Sequence, residues 1–263
     1  MKRWVKVLLA IVVIIVTSFA VMAVGFSYLP TDTEISQQFI TANPLDLSQI
    51  AAFSQYRSCA GHDYRHPTVA TGEFEDTPRS MKHYVKVKPE FRSTKDKVSV
   101  FAPFDGEISL IDNDRGGPGD QQIWLTAKAN NPASPRQWQF VFFHISLDPS
   151  LRQGSSVSAG QRIGYANLAR GPEGASDNFD IGMKFTRPLH QPAVDEVFSH
   201  MASPILAEYA RRGITPEGLT IAEEYRDSHD CPVVPQAPAG PEYDPETIYF
   251  PPEAGSNEYI FLK

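Results

Sequence analysis

The stretch SCAGHDY, Ser58 to Tyr64, places a thiol, an imidazole and a carboxylate within five residues: Cys59, His62 and Asp63. Thiolate, imidazole and carboxylate are the side-chain classes that bind zinc, and an imidazole beside a carboxylate is also an acid–base pair. Plainer uses exist for the same residues. Cys59 can be half of a disulfide, and His62-Asp63 can be a turn closed by an Asx-type hydrogen bond. Further along, His83 lies in SMKHY, His144 in the apolar run FVFFHISL, and Asp180 in NFDIGMKF. A carboxylate on so apolar a strand needs a partner once buried, whether a metal, His144, or an arginine such as Arg57 or Arg79. His66, His190, His200 and His229 sit beside prolines, turns or helix starts, where a surface role is the default. There is no nucleophile elbow, no phosphate-binding glycine loop and no Cys-x-x-Cys pair. DNDRGGPGD, residues 112–120, lacks the spacing and closing glutamate of a calcium loop and reads as a hairpin turn.

The elements that must position these residues are mainly β. KVSVFAPFDGEISLID (97–112), QQIWLTAK (121–128), RQWQFVFFHISL (136–147), GSSVSAGQRIGYAN (154–167) and NFDIGMKF (178–185) read as short strands separated by turns. Such a series suggests a small antiparallel barrel or sandwich. Two helices follow. One runs from the Ser203-Pro204 start to Arg212 and is stopped by Gly213; the other covers Pro216 to Arg226. Residues 31–56 read as a polar stalk with a short helix from Asp46 to Phe53. The segment from Arg57 to Lys97 shows few clear strands. Beyond Cys231 seven prolines fall between Pro232 and Pro252, an extended tail that ends in EYIFLK, apolar enough to dock as a strand.

The N-terminus begins MKRWVK, and Val7 to Tyr28 then carries no charge over 22 residues. That length matches a membrane span of about 20 residues better than the roughly 7–15-residue apolar region of a signal peptide. The reading is an uncleaved anchor through residues 7–28 with the basic end in the cytoplasm and everything after Pro30 exported. Cleavage after the small residues near Ala23 is the alternative and would release a secreted protein. Export gives Cys59 and Cys231 an oxidising environment in which to pair. The chain carries a net charge of −7, and its first 30 residues hold only basic charge, so the remainder is more acidic still and offers no basic face for nucleic acid.

The ordered motifs VFAPFDGEIS, FVFFHISL and GSSVSAGQRIGYAN, followed by a strand with a polar triplet at its start, resemble the lysostaphin/LytM-type zinc endopeptidase domain. Its fold is a duplicated-hybrid-motif, lipoyl-like β-barrel. The resemblance covers about Ser58 to Phe185. It implies a β-barrel or sandwich at 57–190 between an anchor (1–30) with its stalk (31–56) and a helical extension (191–231) with a Pro-rich tail (232–263). It also implies that His144 is a catalytic histidine and that Asp63 is a zinc ligand. The chain departs from the family at three positions, Cys59, Asn178 and Asp180. Cys59 stands four residues before Asp63, where the family has a histidine. Asn178-Phe179-Asp180 replaces a His-x-His pair, leaving Asp180 at the position of the third ligand. His62 and His83 are candidate replacement ligands.

Two functions follow. One is a zinc metallohydrolase of the cell envelope, with metal ligands drawn from His62, Asp63, His83 and Asp180 and with His144 as the catalytic residue. The other is a non-catalytic module that binds an envelope glycan, peptide or protein.

Overall fold

The computed structural model describes residues 3–27, 29–113, 119–128, 136–170, 176–239 and 243–263. Its body is antiparallel β. The strands are β1 (Ile50–Ser54), β2 (His83–Val87), β3 (Ser99–Phe101), β4 (Gly106–Asp112), β5 (Gln121–Ala127), β6 (Gln137–Leu147), β7 (Ser156–Val157), β8 (Arg162–Ala166), β9 (Asn178–Thr186), β10 (Ala193–Asp195) and β11 (Tyr259–Phe261). They join in the order β11-β1-β2-β9-β6-β5-β4-β7, with β10 on β9, and with β8 pairing both β6 and β3. Helices are α1 (Arg3–Ser27), the one-turn α2 (Asp32–Ile35), α3 (Ser203–Ala210) and α4 (Glu223–Ser228).

β6 shows how the pattern makes the layers. Side chains alternate across a strand, so Trp138, Phe140 and Phe142 enter the main core. Val141 and Phe143 lie on the opposite face, in a smaller cluster with Tyr56, Tyr64, Met81 and Val194. β9 repeats the alternation: Phe179, Ile181, Met183 and Phe185 join the main core, leaving Asp180, Gly182 and Lys184 on the second face. That second face carries the candidate site.

Several expectations require correction. The segment read as a short helix from Asp46 to Phe53 instead forms β1 over its last residues. Phe39, Ile40, Leu45, Leu47, Ile50 and Phe53 are all buried in the main core, so most of the stretch read as a stalk is packed into the body. Its apolar residues are spaced for a strand and its approach loop, and tertiary burial overrides the weak helical signal. β2 was not visible in the sequence because charge and turn residues surround it. α3 starts one residue before the expected position, with Ala202 at the N-cap and no side-chain cap. The second expected helix divides into a 3-10 turn at Glu217–Leu219 and α4. The hairpin expected at 112–120 lies largely outside the described residues.

α1 contains a 19-residue window, Arg3–Val21, apolar enough to cross a membrane, and none of it is buried against the body. At the other end, β11 pairs antiparallel with β1. Cys59 and Cys231 form a disulfide between residues 172 apart in sequence. It packs with Phe250 in a small apolar cluster of its own. Arg226 donates from Nη1 to Cys59 Sγ at 2.8 Å and from Nε to the Arg57 carbonyl at 2.9 Å. A bridge that closes so long a loop restricts the unfolded chain strongly. Reduction, or the double change Cys59→Ser/Cys231→Ser, is expected to lower the urea midpoint by an amount equivalent to about 2–5 kcal/mol. An unchanged midpoint would show that the tail is held without the bridge.

Candidate functional site

Three strands converge on the site. In the sheet, Asp180 on β9 lies between Tyr84 on β2 and Phe143 on β6. Residue 144 follows at an irregularity: Phe142 and Ile145 of β6 oppose Ile123 and Gln121 of β5, so β6 carries one extra residue. His144 takes it up with a left-handed backbone, φ +61°. Such a bulge re-aims side chains, and histidine tolerates positive φ better than most residues. Ile145 thereby returns to the core while His144 joins Phe143 on the second face.

The centre of the site is Lys82. Its Nζ donates to Asp180 Oδ2 at 2.7 Å and to His62 Nε2 at 3.1 Å. It also lies 4.7–4.8 Å from the ring centroids of Phe143, Tyr64 and Tyr84. Ring faces attract a cation, so the ammonium sits in a cage with one anionic wall. Both partners of the ion pair are buried, Lys82 at 3% side-chain exposure and Asp180 at 1%. Burial alone would raise the Asp180 pKa. The charges of Lys82, His144 and Arg170 outweigh it and hold the carboxyl below its usual value, so Asp180 is an anion.

His62 is the neutral member. Its Nδ1–H donates to the Asp63 carbonyl at 2.8 Å, which leaves Nε2 as the acceptor from Lys82. Burial and the Lys82 charge push its pKa down from 6.5 to about 3. Gly61 makes the approach of the loop possible. It has φ +69°, and a Cβ there would lie 2.1 Å from the Tyr84 hydroxyl oxygen. His144 reaches the same carboxylate from the side. Its Nδ1 pairs with Asp120 at 3.0 Å and its Nε2 stands 3.9 Å from Asp180 Oδ2.

His62, His144 and Asp180 therefore come together, while Asp63 and His83 do not join them. The Asp63 carboxylate is committed to Arg65, at 2.9 Å to Nη2, and accepts the Arg79 backbone N–H at 3.1 Å. His83 is on the other face of β2. It is fully buried between the Ser54 carbonyl at 2.8 Å and Glu196 at 2.9 Å. Val85 and Val87 share its face and belong to the main core, and the period of two puts Lys82 and Tyr84 opposite. Cys59 is consumed by its disulfide. Asn178 turns its amide to Asp177. The arginines considered as partners for the site carboxylates are engaged elsewhere: Arg57 and Arg79 share the buried Glu75, and Arg79 also pairs with Asp227.

The donor set does not fit zinc. A metal needs deprotonated lone pairs converging on one point, and here His62 Nε2 and Asp180 Oδ2 converge on an ammonium, with Asp180 Oδ1 buried beside them without a partner. Among the described residues no group of three or more His, Cys, Asp or Glu side chains could hold a metal ion. Lys82, Tyr64, Tyr84 and Asp120 were missed as site residues. The signal lay in MKHYVKV, where reading Val85 and Val87 as the core face of a strand sends His83 inward and Lys82 to the site.

No family model matches the chain, and no curated protein matches it. Solved structures are similar over parts of their length. One is a LytM protein of Ruminococcus gnavus assigned as a glycyl-glycine endopeptidase, at 17% identity and TM-score 0.30, covering 43% of this chain and 41% of that one. Lysostaphin is 18% identical at TM-score 0.29, covering 54% of this chain and 52% of the other. Csd3 of Helicobacter pylori is 14% identical at TM-score 0.30, covering 85% and 45%. The chain thus spans about half the length, or less, of each.

The half-buried imidazole has a pH consequence. The unfolded chain binds a proton at His62 near pH 6.5, whereas the folded protein binds it only near pH 3. Between those values proton uptake favours unfolding, so stability is full above pH 6.5 and falls as pH drops towards 3, with a slope of about one proton. Asp180, with its lowered pKa, adds loss in the same direction below pH 3.8. His62→Gln is expected to flatten the upper part of that slope in urea unfolding series. A wild-type slope unchanged by the substitution would place His62 outside the buried network.

Proposed function

We propose that the chain is a membrane-anchored, envelope-facing module with a peptidase-like β domain that binds its ligand without cleaving it. The observation that carries this reading is Lys82 Nζ, 2.7 Å from Asp180 and 3.1 Å from His62, at the point where metal ligands would have to converge. An ammonium supplies the positive charge that Asp180 needs but has no vacant orbital. It cannot coordinate a water or a carbonyl oxygen as a Lewis acid does. His144 keeps its Asp120 partner and orientation without a metal-activated nucleophile to serve.

The motif resemblance of residues 58–185 supports the peptidase-like reading, and α1 supports anchoring with the body on the extracytoplasmic side. For binding, the second face offers Trp124, half-buried on β5, with Lys184 Nζ 4.5 Å above its ring and Tyr64 5.3 Å from the same ammonium. A half-buried aromatic ring at this face can stack against a sugar ring or a peptide segment. The ligand class is therefore an envelope glycan, peptide or protein segment.

The test is zinc content and hydrolysis in parallel, on the detergent-solubilised full chain. The wild type is expected to hold no stoichiometric zinc after dialysis against the ion and to leave oligoglycine and peptidoglycan substrates intact. It is expected to co-sediment with peptidoglycan, and Trp124→Ala is expected to weaken that co-sedimentation. Stoichiometric zinc together with hydrolysis that His144→Ala abolishes would overturn the proposal in favour of a zinc hydrolase.

A further inference from the structure

α1 ends at Ser27, and the chain is attached to the body almost immediately. Pro30 is buried. The Leu29 carbonyl accepts a hydrogen bond from Arg136 Nη2 at 3.0 Å. A Leu29 methyl lies 2.8 Å from the position a Cβ would take on Gly72, and Arg187 Nη2 lies 3.1 Å from the same position. Two residues span at most about 7 Å. Whatever the tilt of α1, the Gly72 turn and the start of the β9–β10 hairpin therefore sit at headgroup level if α1 spans a bilayer.

Two side chains at this edge are otherwise unexplained by the fold. Leu189, two residues beyond Arg187 at the hairpin tip, is 85% exposed. It also adopts a left-handed backbone, φ +63°, which leucine rarely accepts. Phe74, two residues beyond Gly72, is 53% exposed. Large exposed apolar side chains on a surface beside a membrane span have an apolar phase within reach. Glu34 neutralises Arg136 at 2.9 Å, so the contact is carried by the two apolar side chains, with the long Arg187 stem alongside.

We propose that Leu189 and Phe74 dip into the phospholipid surface next to α1 and hold the body in one orientation against the bilayer. This rests on the anchoring role of α1 given above. The occupant is lipid rather than a second protein because the edge is continuous with the exit of the span.

Site-directed spin labelling of the full chain in phosphatidylcholine/phosphatidylglycerol vesicles tests this. A nitroxide is placed in turn at Leu189→Cys, Phe74→Cys, Val12→Cys within α1, and Gln153→Cys in the exposed turn before β7. Labels at 189 and 74 are expected to show several-fold less collision with a water-soluble nickel chelate than the label at 153, and more collision with oxygen. The label at 12 is expected to be wholly shielded from nickel. Shielding at 12 with full nickel access at 189 and 74 would overturn the surface contact while leaving the anchor intact. Nickel access at 12 would overturn the anchor, and the contact with it.

Discussion

A lysine ammonium and an aspartate carboxylate 2.7 Å apart, both withdrawn from water, set the terms for this side of the molecule. Removing two charges from solvent is costly, and their mutual attraction repays it only when geometry is close and further hydrogen bonds satisfy the remaining groups. The surrounding structure meets the first condition and part of the second: Asp180 Oδ2 accepts from Lys82, while Asp180 Oδ1 is buried without a hydrogen-bond partner. β2 and β9 pair so that Tyr84 faces Asp180, β6 brings Phe143 to the other side, and the loop through Gly61 delivers a neutral imidazole as the second acceptor. The rings of Tyr64, Tyr84 and Phe143 exclude water while still attracting the cation. The ion pair in turn makes the register of β2 against β9 consequential. A slip of one residue would send Lys82 into the apolar core and leave Asp180 unpaired.

The C-terminal tail belongs to the same construction. Ile248 and Phe250 pair through their backbones with Asp63 and Gly61, at 2.7 and 2.9 Å, and the Tyr249 ring packs edge-on against His62, 5.8 Å between centroids. Phe250 rests on the disulfide, and Glu258 accepts from the Cys59 N–H. The bridge therefore holds the strap that shields the His62 side of the cage, and the shielding depresses the imidazole pKa. Disulfide, strap, neutral histidine and buried lysine are one linked arrangement.

The strands with strong alternation, β5, β6 and β9, were legible in the sequence, because a period of two with aromatic and branched residues has few other solutions. The pairing of Cys59 with Cys231 was legible from export and from the count of two cysteines. β1 and β2 were not. Each is short, and each owes its state to pairing with strands distant in sequence. Missing β2 had a direct effect on the site. Without its register, His83 looked like a ligand because of its chemistry, and nothing set Lys82 beside it apart. The bulge that presents His144 was equally hidden, since no local residue type marks it. Asp63 kept a spacing that suggested a ligand, yet Arg65, only two residues away, claimed its carboxylate.

A double-mutant cycle reads out directly whether Lys82 and Asp180 neutralise each other in the buried cage. Lys82→Met, Asp180→Leu and the pair together would be compared by urea unfolding. Each single change strands a buried charge and should cost about 3–5 kcal/mol. The double change removes both charges, so the account expects it to fall short of the summed single losses by about 1–3 kcal/mol. Losses that add to within about 0.5 kcal/mol would mean that the two groups do not depend on each other, and the account would be wrong.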